Sequence, residues 1–219
     1  SGLDRAVRNC NNTVACVKRF IGAYESDVNL EVEKRYLSCP TSCDDKGRLL
    51  FDVNYNGDSV SLYPEQVLAM FIQQLRKYVN REATIDAKAP ADVRDCVVTV
   101  PCYYTAEQRR LISQACEIAG VNAMSLVNET TASSIDYGIF RGSSLPEKES
   151  DAQIVAILDL GYGTTTVAVT AFWRGNLKVL SRKCDRNLGT RDVDWTLLQH
   201  FAGEIKNKYK VDVMENKRA

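Results

Sequence analysis

The most informative stretch of the sequence is Ile154-Val-Ala-Ile-Leu-Asp159-Leu-Gly161-Tyr-Gly163-Thr164-Thr-Thr-Val-Ala-Val-Thr170. It contains an apolar run that ends in an aspartate, a Gly-x-Gly-Thr turn, and a second run rich in β-branched residues, so it predicts two strands joined by a turn. Glycines let a backbone approach an anion closely, and successive N–H groups in a turn can bind a phosphate. Asp159 could hold Mg²⁺ through water, because this ion keeps much of its hydration shell.

The same segment is also compatible with a plain β-hairpin in which Asp159 and the glycines serve turn geometry alone. Two commoner phosphate loops are excluded. The dinucleotide fingerprint and the Walker loop both need a helix after the glycines, and residues 164–171 are too β-branched to form it. This stretch by itself leaves open the choice between an anion-binding turn and a hairpin.

The remaining sequence mixes helix and strand patterns, which predicts an α/β fold. Residues 23–47 and 82–94 are expected to be irregular, and Arg141 to Ala152 is the clearest boundary because it combines Gly-Ser-Ser, Pro146 and a charge run. Strands are predicted at 48–55, 58–63, 95–100, 124–127, 153–160, 164–173 and 176–184, and helices at 11–21, from Pro64, after Thr105, at 130–140 and around Val193–Ile205. Asn56-Gly57 predicts a type I′ hairpin, and Thr105-Ala-Glu-Gln108 predicts a capping box. The apolar face of the last helix is expected to consist of Val193, Leu197, Phe201 and Ile205.

Composition gives no indication of a nucleic-acid or membrane partner. The chain of 219 residues carries 28 Lys plus Arg and 28 Asp plus Glu, hence a formal net charge of zero. There is no apolar run of about 18 residues and no visible signal peptide, so a cytoplasmic location is expected.

Reduced thiols are expected for the eight cysteines. The alternative is a zinc site formed by Cys10, Cys16, Cys39 and Cys43.

A series of motifs in one order then points to a family. The motifs are Asn12-Thr-Val-Ala-Cys-Val-Lys18-Arg-Phe-Ile-Gly22, Val98-Thr-Val-Pro-Cys-Tyr-Tyr104 with Gln108-Arg109, Val127-Asn-Glu129-Thr-Thr-Ala132 with Asp136-Tyr-Gly138, Asp159-Leu-Gly-Tyr-Gly-Thr164, and Asn187-Leu-Gly-Thr-Arg-Asp-Val-Asp194. Together they resemble the nucleotide-binding domain of the heat-shock-seventy chaperones. The resemblance implies an actin-like ATPase (ribonuclease-H-like) fold, incomplete here, with partial lobe I at 1–148 and the start of lobe II at 153–219.

Other details resemble the heat-shock-one-ten branch of that family. They are Tyr137-Gly-Ile-Phe140, Val169-Thr-Ala-Phe172 and His200-Phe-Ala-Gly-Glu-Ile-Lys, although Glu129 is usual in the heat-shock-seventy branch. The implied function is an ATP-binding chaperone or nucleotide-exchange factor for a heat-shock-seventy partner, with unfolded clients bound through parts absent here. The alternatives are an actively hydrolysing heat-shock-seventy chaperone and, more remotely, a sugar or acetate kinase. The kinase would need a substrate-binding acid or base that the sequence does not reveal.

The resemblance also implies roles for individual residues toward ATP or ADP with Mg²⁺. Lys18 would sit over the γ-phosphate and orient the attacking water, and Glu129 and Asp159 would hold magnesium through its waters. Residues expected to contact the phosphates are Gly161, Tyr162, Gly163, Thr164, Gly189 and Thr190. Pro101 and Arg109 would belong to the relay between the nucleotide and the client-binding parts.

Four positions depart from the family pattern, one of which is Thr130, where the family has a proline after Glu129. The other three bear on nucleotide binding and hydrolysis. Tyr162 replaces a glycine, Thr166 an aspartate, and Thr190 the second glycine of a pair. These changes predict that the parent protein hydrolyses ATP slowly. The family's first phosphate loop and most of its adenine pocket lie outside this chain, so the chain alone is expected to bind ATP weakly and to be inactive as an enzyme.

Overall fold

The computed structural model describes residues 8–87 and 91–215. Its α-helices are α1 (Leu30–Lys34), α2 (Pro64–Ala87), α3 (Ala106–Ile118), α4 (Glu129–Arg141) and α5 (Thr190–Tyr209). Its strands are β1 (Thr41–Cys43), β2 (Leu49–Tyr55), β3 (Asp58–Leu62), β4 (Asp95–Val100), β5 (Asn122–Asn128), β6 (Gln153–Leu160), β7 (Thr165–Trp173) and β8 (Asn176–Asp185). The expected mixed α/β class is confirmed.

The chain divides into two compact units. The first contains residues 1–98 and 104–126, and the second contains residues 99–103 and 127–219. Residues 127–148 therefore group with the segment that follows them. The predicted lobes at 1–148 and 153–219 stay a prediction.

The first unit is built on the antiparallel sheet β1-β2-β3. The β2–β3 turn at Asn56 and Gly57 has φ values of 53° and 97°, as the predicted type I′ hairpin requires. Phe51 of β2 is fully buried, and its ring lies edge-on to that of Phe20 with centroids 5.5 Å apart. The strand alternation that places Phe51 inward therefore fixes the core of this unit.

The second unit is built on the antiparallel sheet β6-β7-β8, with α4 packed on one face. Ser134 Oγ of α4 lies 3.1 Å from Thr170 Oγ1 of β7, and both residues are fully buried. The ring of Tyr137 lies 5.0 Å from that of Phe172, measured between centroids. A hydrogen-bonded hydroxyl pair and an aromatic pair therefore hold α4 on this sheet.

Three local predictions were wrong. Residues 11–21 do not form one helix but two 3₁₀ segments, Cys10–Asn12 and Val17–Arg19. Between them Cys16 has a φ of 55°, a left-handed conformation that interrupts any α-helix. Residues 23–47 contain α1 and β1 rather than irregular chain alone, and α2 continues to Ala87, past the expected connector start at 82.

No helix within the described ranges is long and apolar enough to span a membrane.

Candidate functional site

The centre of the candidate site is the turn at residues 161–164, which joins β6 to β7. Gly161 N–H donates a hydrogen bond to the Thr164 carbonyl at 2.8 Å and closes the turn. Asp159 lies two residues earlier and pairs with Thr166 across the ladder, and Thr166 pairs in turn with Cys184 of β8. Side chains directly opposite one another point to the same face of a sheet. The three residues therefore form a row across one face near the turn.

The two glycines of the turn are required by close packing rather than by an unusual backbone conformation. Neither Gly161 nor Gly163 has a positive φ. A Cβ atom on Gly161 would lie 3.1 Å from the Thr164 carbonyl oxygen. A Cβ atom on Gly163 would lie 3.3 Å from Cζ of the Arg191 guanidinium. Residues 161–164 thus form the turn of a β-hairpin and are also the candidate phosphate turn. The absence of a side chain at Gly161 and Gly163 lets the Thr164 carbonyl and the Arg191 guanidinium come close to the backbone.

The second candidate segment, residues 187–190, lies directly against this turn. Thr190 N–H donates to the Gly161 carbonyl at 3.0 Å, and Arg191 N–H donates to the Tyr162 carbonyl at 2.9 Å. The Gly189 backbone comes so close that a Cβ atom there would overlap the Tyr162 carbonyl oxygen. The structure therefore brings together all the residues predicted to contact phosphates, namely Gly161, Tyr162, Gly163, Thr164, Gly189 and Thr190.

These contacts also settle how α5 begins. Gly189 is its N-cap, and Asp192 Oδ2 accepts a hydrogen bond from Gly189 N–H at 2.8 Å. The first amides of a helix have no partner inside it. Here those of Thr190 and Arg191 donate to carbonyls of the turn. They stabilise the junction, and these two N–H groups are engaged by protein rather than directed at a phosphate.

Glu129 and Asp159 lie on the same side of the β6-β7-β8 sheet. Asp159 shares a face with Thr166 and Thr170, and Thr170 contacts Ser134 of the helix that Glu129 begins. Both carboxylates are half-buried. An acidic residue in the first turn is also favoured by the helix dipole, so the position of Glu129 has a purely structural interpretation as well.

The donor set suits a hydrated magnesium ion better than a directly caged metal. Among the described residues no group of three or more His, Cys, Asp or Glu side chains could hold a metal ion. Two carboxylates leave most ligand positions to water, which is the arrangement that Mg²⁺ favours. All eight cysteines are free thiols.

Lys18 lies in the first unit, within the 3₁₀ segment Val17–Arg19, and is exposed. The Tyr104 hydroxyl donates to the Lys18 carbonyl at 2.5 Å, and Gln108 Nε2 donates to the Ile21 carbonyl at 2.9 Å. Gln108 also completes the predicted capping box with Thr105 at the start of α3. The backbone around Lys18 is therefore held by Tyr104 and by Gln108 of α3, which the sequence motifs did not reveal.

The predicted relay residues belong to different units. Pro101 is buried directly after β4, in the segment that groups with the second unit. Arg109 lies on α3 in the first unit, and its Nε donates to the Tyr104 carbonyl at 3.2 Å. Each position is compatible with the expected role, which stays a prediction.

Arg191 is the main site residue that sequence reasoning missed. It is 1% exposed, although it is charged and follows directly on the predicted Gly189–Thr190 pair. Arginine is rarely buried to this extent, so the sequence pattern gave no reason to select it. The one available signal was its place within the motif that begins at Asn187.

Comparison with known proteins agrees with these features. Residues 2–219 match the family model described as Hsp70 protein. The chain is 38% identical to a heat shock protein homolog of Saccharomyces cerevisiae, an alignment that covers 100% of this chain and 31% of that protein. It is 37% identical to the 97 kDa heat shock protein of Mesocentrotus franciscanus (98% of this chain, 24% of that protein). It is 36% identical to heat shock protein 88 of Dictyostelium discoideum, over 100% of this chain and 27% of that protein.

The chain thus spans about a quarter to a third of the length of these relatives. The family match extends over both units, and the relatives include proteins of the type whose motifs the sequence resembles. The mixed α/β architecture is that expected of an actin-like ATPase domain. The chain belongs to the Hsp70 family.

Proposed function

We propose that the full-length protein is an ATP-binding chaperone that assists a heat-shock-seventy partner by promoting its nucleotide exchange. The observation that carries the nucleotide part is the junction between the 161–164 turn and the start of α5. Carbonyls of Gly161 and Tyr162 accept hydrogen bonds from the α5 amides at 3.0 and 2.9 Å, so protein contacts hold the turn without a ligand. Such preorganisation is what an anion-binding site needs.

Within this site the phosphates of ATP or ADP would contact the turn. Thr164 places a buried hydroxyl at its end. Asp159 and Glu129 would hold Mg²⁺ through its waters, and the ion would neutralise charge on the phosphates. Gly189 and Thr190 shape the wall behind the turn. For Lys18, in the other unit, the family resemblance alone supports the predicted role.

The chaperone part is supported by the relatives, all of which are named as heat shock proteins. The exchange part rests on the motifs typical of the heat-shock-one-ten branch and on Thr166 and Thr190, which replace an aspartate and a glycine.

We further propose that the protein acts in the cytoplasm, that unfolded clients bind outside the present chain, and that residues 1–148 and 153–219 belong to two lobes. The kinase alternative is not retained, because the family match extends over residues 2–219.

The test is an exchange assay with the full-length protein. A heat-shock-seventy chaperone is loaded with a fluorescent ADP analogue, and release is followed after adding an excess of unlabelled ATP. We expect the full-length protein to accelerate release by at least about tenfold at equimolar concentration. The Gly189→Ala variant, in which the backbone of the junction must shift, should lose that effect. An unchanged release rate with wild-type protein would contradict the exchange proposal.

The second candidate is an actively hydrolysing chaperone, which Glu129 favours because that residue is usual in the heat-shock-seventy branch. Single-turnover hydrolysis by the full-length protein separates the two. Slow hydrolysis with fast exchange supports the first candidate, and hydrolysis at the rate of an ordinary heat-shock-seventy chaperone supports the second.

A further inference from the structure

The position of Arg191 departs from two general tendencies of arginine residues. Among the residues that the structure describes, Arg191 is the largest fully buried side chain, with 1% of its surface exposed. It is also the second residue of α5, where the helix dipole disfavours a positive charge. Burying a guanidinium requires compensation from its surroundings. Residues that violate local rules in this way cluster at functional sites.

The surroundings of Arg191 are the central residues of the candidate phosphate turn. A Cβ atom on Gly163 would lie 3.3 Å from both Cζ and Nε of Arg191 and 3.4 Å from Nη1, so the guanidinium lies against the Gly163 backbone. The Arg191 backbone N–H donates to the Tyr162 carbonyl at 2.9 Å. One residue therefore holds both central positions of the turn, Tyr162 through its main chain and Gly163 through its side chain.

We propose that Arg191 is a positioning residue for phosphate binding: its guanidinium fixes the shape of the 161–164 turn and supplies a buried positive charge that favours a nucleoside di- or triphosphate there. This inference rests on the proposed nucleotide function and adds a residue to it. A charge held in a water-excluded site interacts more strongly with an anion than the same charge in water. Because the side chain is locked in place by packing, little reorganisation is needed when the phosphate arrives.

The charge and the packing can be separated by substitution. Arg191→Met keeps most of the side-chain length and removes the charge, whereas Arg191→Lys keeps the charge and loses the flat guanidinium. Arg182→Met is the matched control, because it removes the same charge from an exposed position on β8 of the same unit. Thermal unfolding of each variant shows whether the fold is intact.

The experiment measures binding of MgADP and of adenosine to the full-length protein by calorimetry. We expect Arg191→Met to weaken MgADP binding by about tenfold to a hundredfold while adenosine binding is unchanged. We expect Arg191→Lys to recover part of the loss and Arg182→Met to bind like wild type. Hydrogen exchange of the amides at 161–164 without nucleotide should be faster in Arg191→Met than in wild type.

Two results would overturn the proposal. One is an Arg191→Met variant that binds MgADP with wild-type affinity and whose amides at 161–164 undergo hydrogen exchange at the wild-type rate. The other is an equal loss of MgADP and adenosine binding, which would mark Arg191 as a general structural residue. If the wild-type protein binds no MgADP, the proposed function itself fails and the charge part of this proposal fails with it. In that case faster hydrogen exchange of the amides at 161–164 in Arg191→Met would still support the positioning part.

Discussion

Asp159 of β6 and Thr166 of β7 are direct cross-strand partners, two residues away from the turn on either side. Thr166 is buried, with 5% of its surface exposed, and Asp159 is half-buried. The position at which the family pattern has an aspartate therefore faces the predicted magnesium carboxylate directly. This pairing explains in structural terms why the identity of residue 166 matters.

The first prediction follows from that pairing. In Thr166→Asp two carboxylates would face each other, and like charges directly opposite are destabilising. Without divalent ions we expect the free energy of unfolding to fall by on the order of 1 kcal/mol, with recovery when Mg²⁺ is added. Urea unfolding with and without Mg²⁺ measures this, and the uncharged isostere Thr166→Asn is the control. Equal effects of Mg²⁺ on both variants would argue against a metal site beside Asp159.

The second prediction concerns the junction between the turn and α5. Gly189→Ala would place a Cβ atom in overlap with the Tyr162 carbonyl oxygen, so the backbone must shift. We expect a loss of about 1–3 kcal/mol in the free energy of unfolding.

The matched control for that change is Gly203→Ala on the same helix, where no atom apart from the adjoining residues and the helix backbone lies within 4 Å of the added methyl group. This substitution should stabilise by about 0.5–1 kcal/mol, because alanine is the better helix former. Chemical denaturation of both variants gives the two values. Similar effects at both positions would show that the close approach at Gly189 is not rigid.

The third prediction uses two buried thiols of the first unit. Burial raises the pKa of Cys39 and of Cys116 from 9.0 to about 11, with smaller contributions from Asp52 and from Cys96 respectively. The unfolded thiols lose their protons first as the pH rises. The contribution of these two buried, protonated thiols to the free energy of unfolding is therefore complete below about pH 9. It is lost between pH 9 and about 11.

Urea unfolding at pH 8 and at pH 10 tests the third prediction. The loss of stability on raising the pH should shrink by on the order of 1 kcal/mol in Cys116→Ala relative to wild type. Alkylation with iodoacetamide should modify Cys39 and Cys116 last of the eight cysteines, because the thiolate is the reactive form. Rapid labelling of Cys116 at pH 8 would contradict the burial of this thiol.

Much of the fold could be predicted from local patterns. The Asn56-Gly57 turn, the Thr105–Gln108 capping box and the β6 strand over 153–160 all depend on neighbouring residues, and each was confirmed. The predicted helix at 11–21 failed because its conformation is set from a distance. Tyr104 and Gln108, 86 and 87 residues further along the chain, hold the Lys18 and Ile21 carbonyls.

The candidate site shows the same limit. Its glycines and threonines could be selected because they follow a strand and match a family pattern. That the Gly189 segment packs on the 161–164 turn is a tertiary contact, which the motif order alone does not give. The burial of Arg191 could not be predicted either, because arginine is usually exposed and no local pattern distinguishes this one.

The fourth prediction is self-association of the 219-residue chain. On α5 the side chains of Val193, Leu197 and Phe201 were expected to form an apolar face, yet they are 60%, 50% and 54% exposed. Exposed apolar patches promote association. Sedimentation velocity should show concentration-dependent oligomers, and Leu197→Glu should reduce them, whereas Lys208→Glu at the polar end of the helix should not. A sharp monomer at all concentrations would contradict this.

The central claim is that Asp159 and the 161–164 turn bind the phosphates of a nucleotide with Mg²⁺. The most direct test is calorimetric titration of the full-length protein with MgADP, using wild type and Asp159→Asn. We predict saturable one-to-one binding by wild type and an affinity at least about tenfold lower in Asp159→Asn, with unchanged thermal stability without nucleotide. Absence of saturable binding by wild type, or equal affinity in both proteins, would contradict the account.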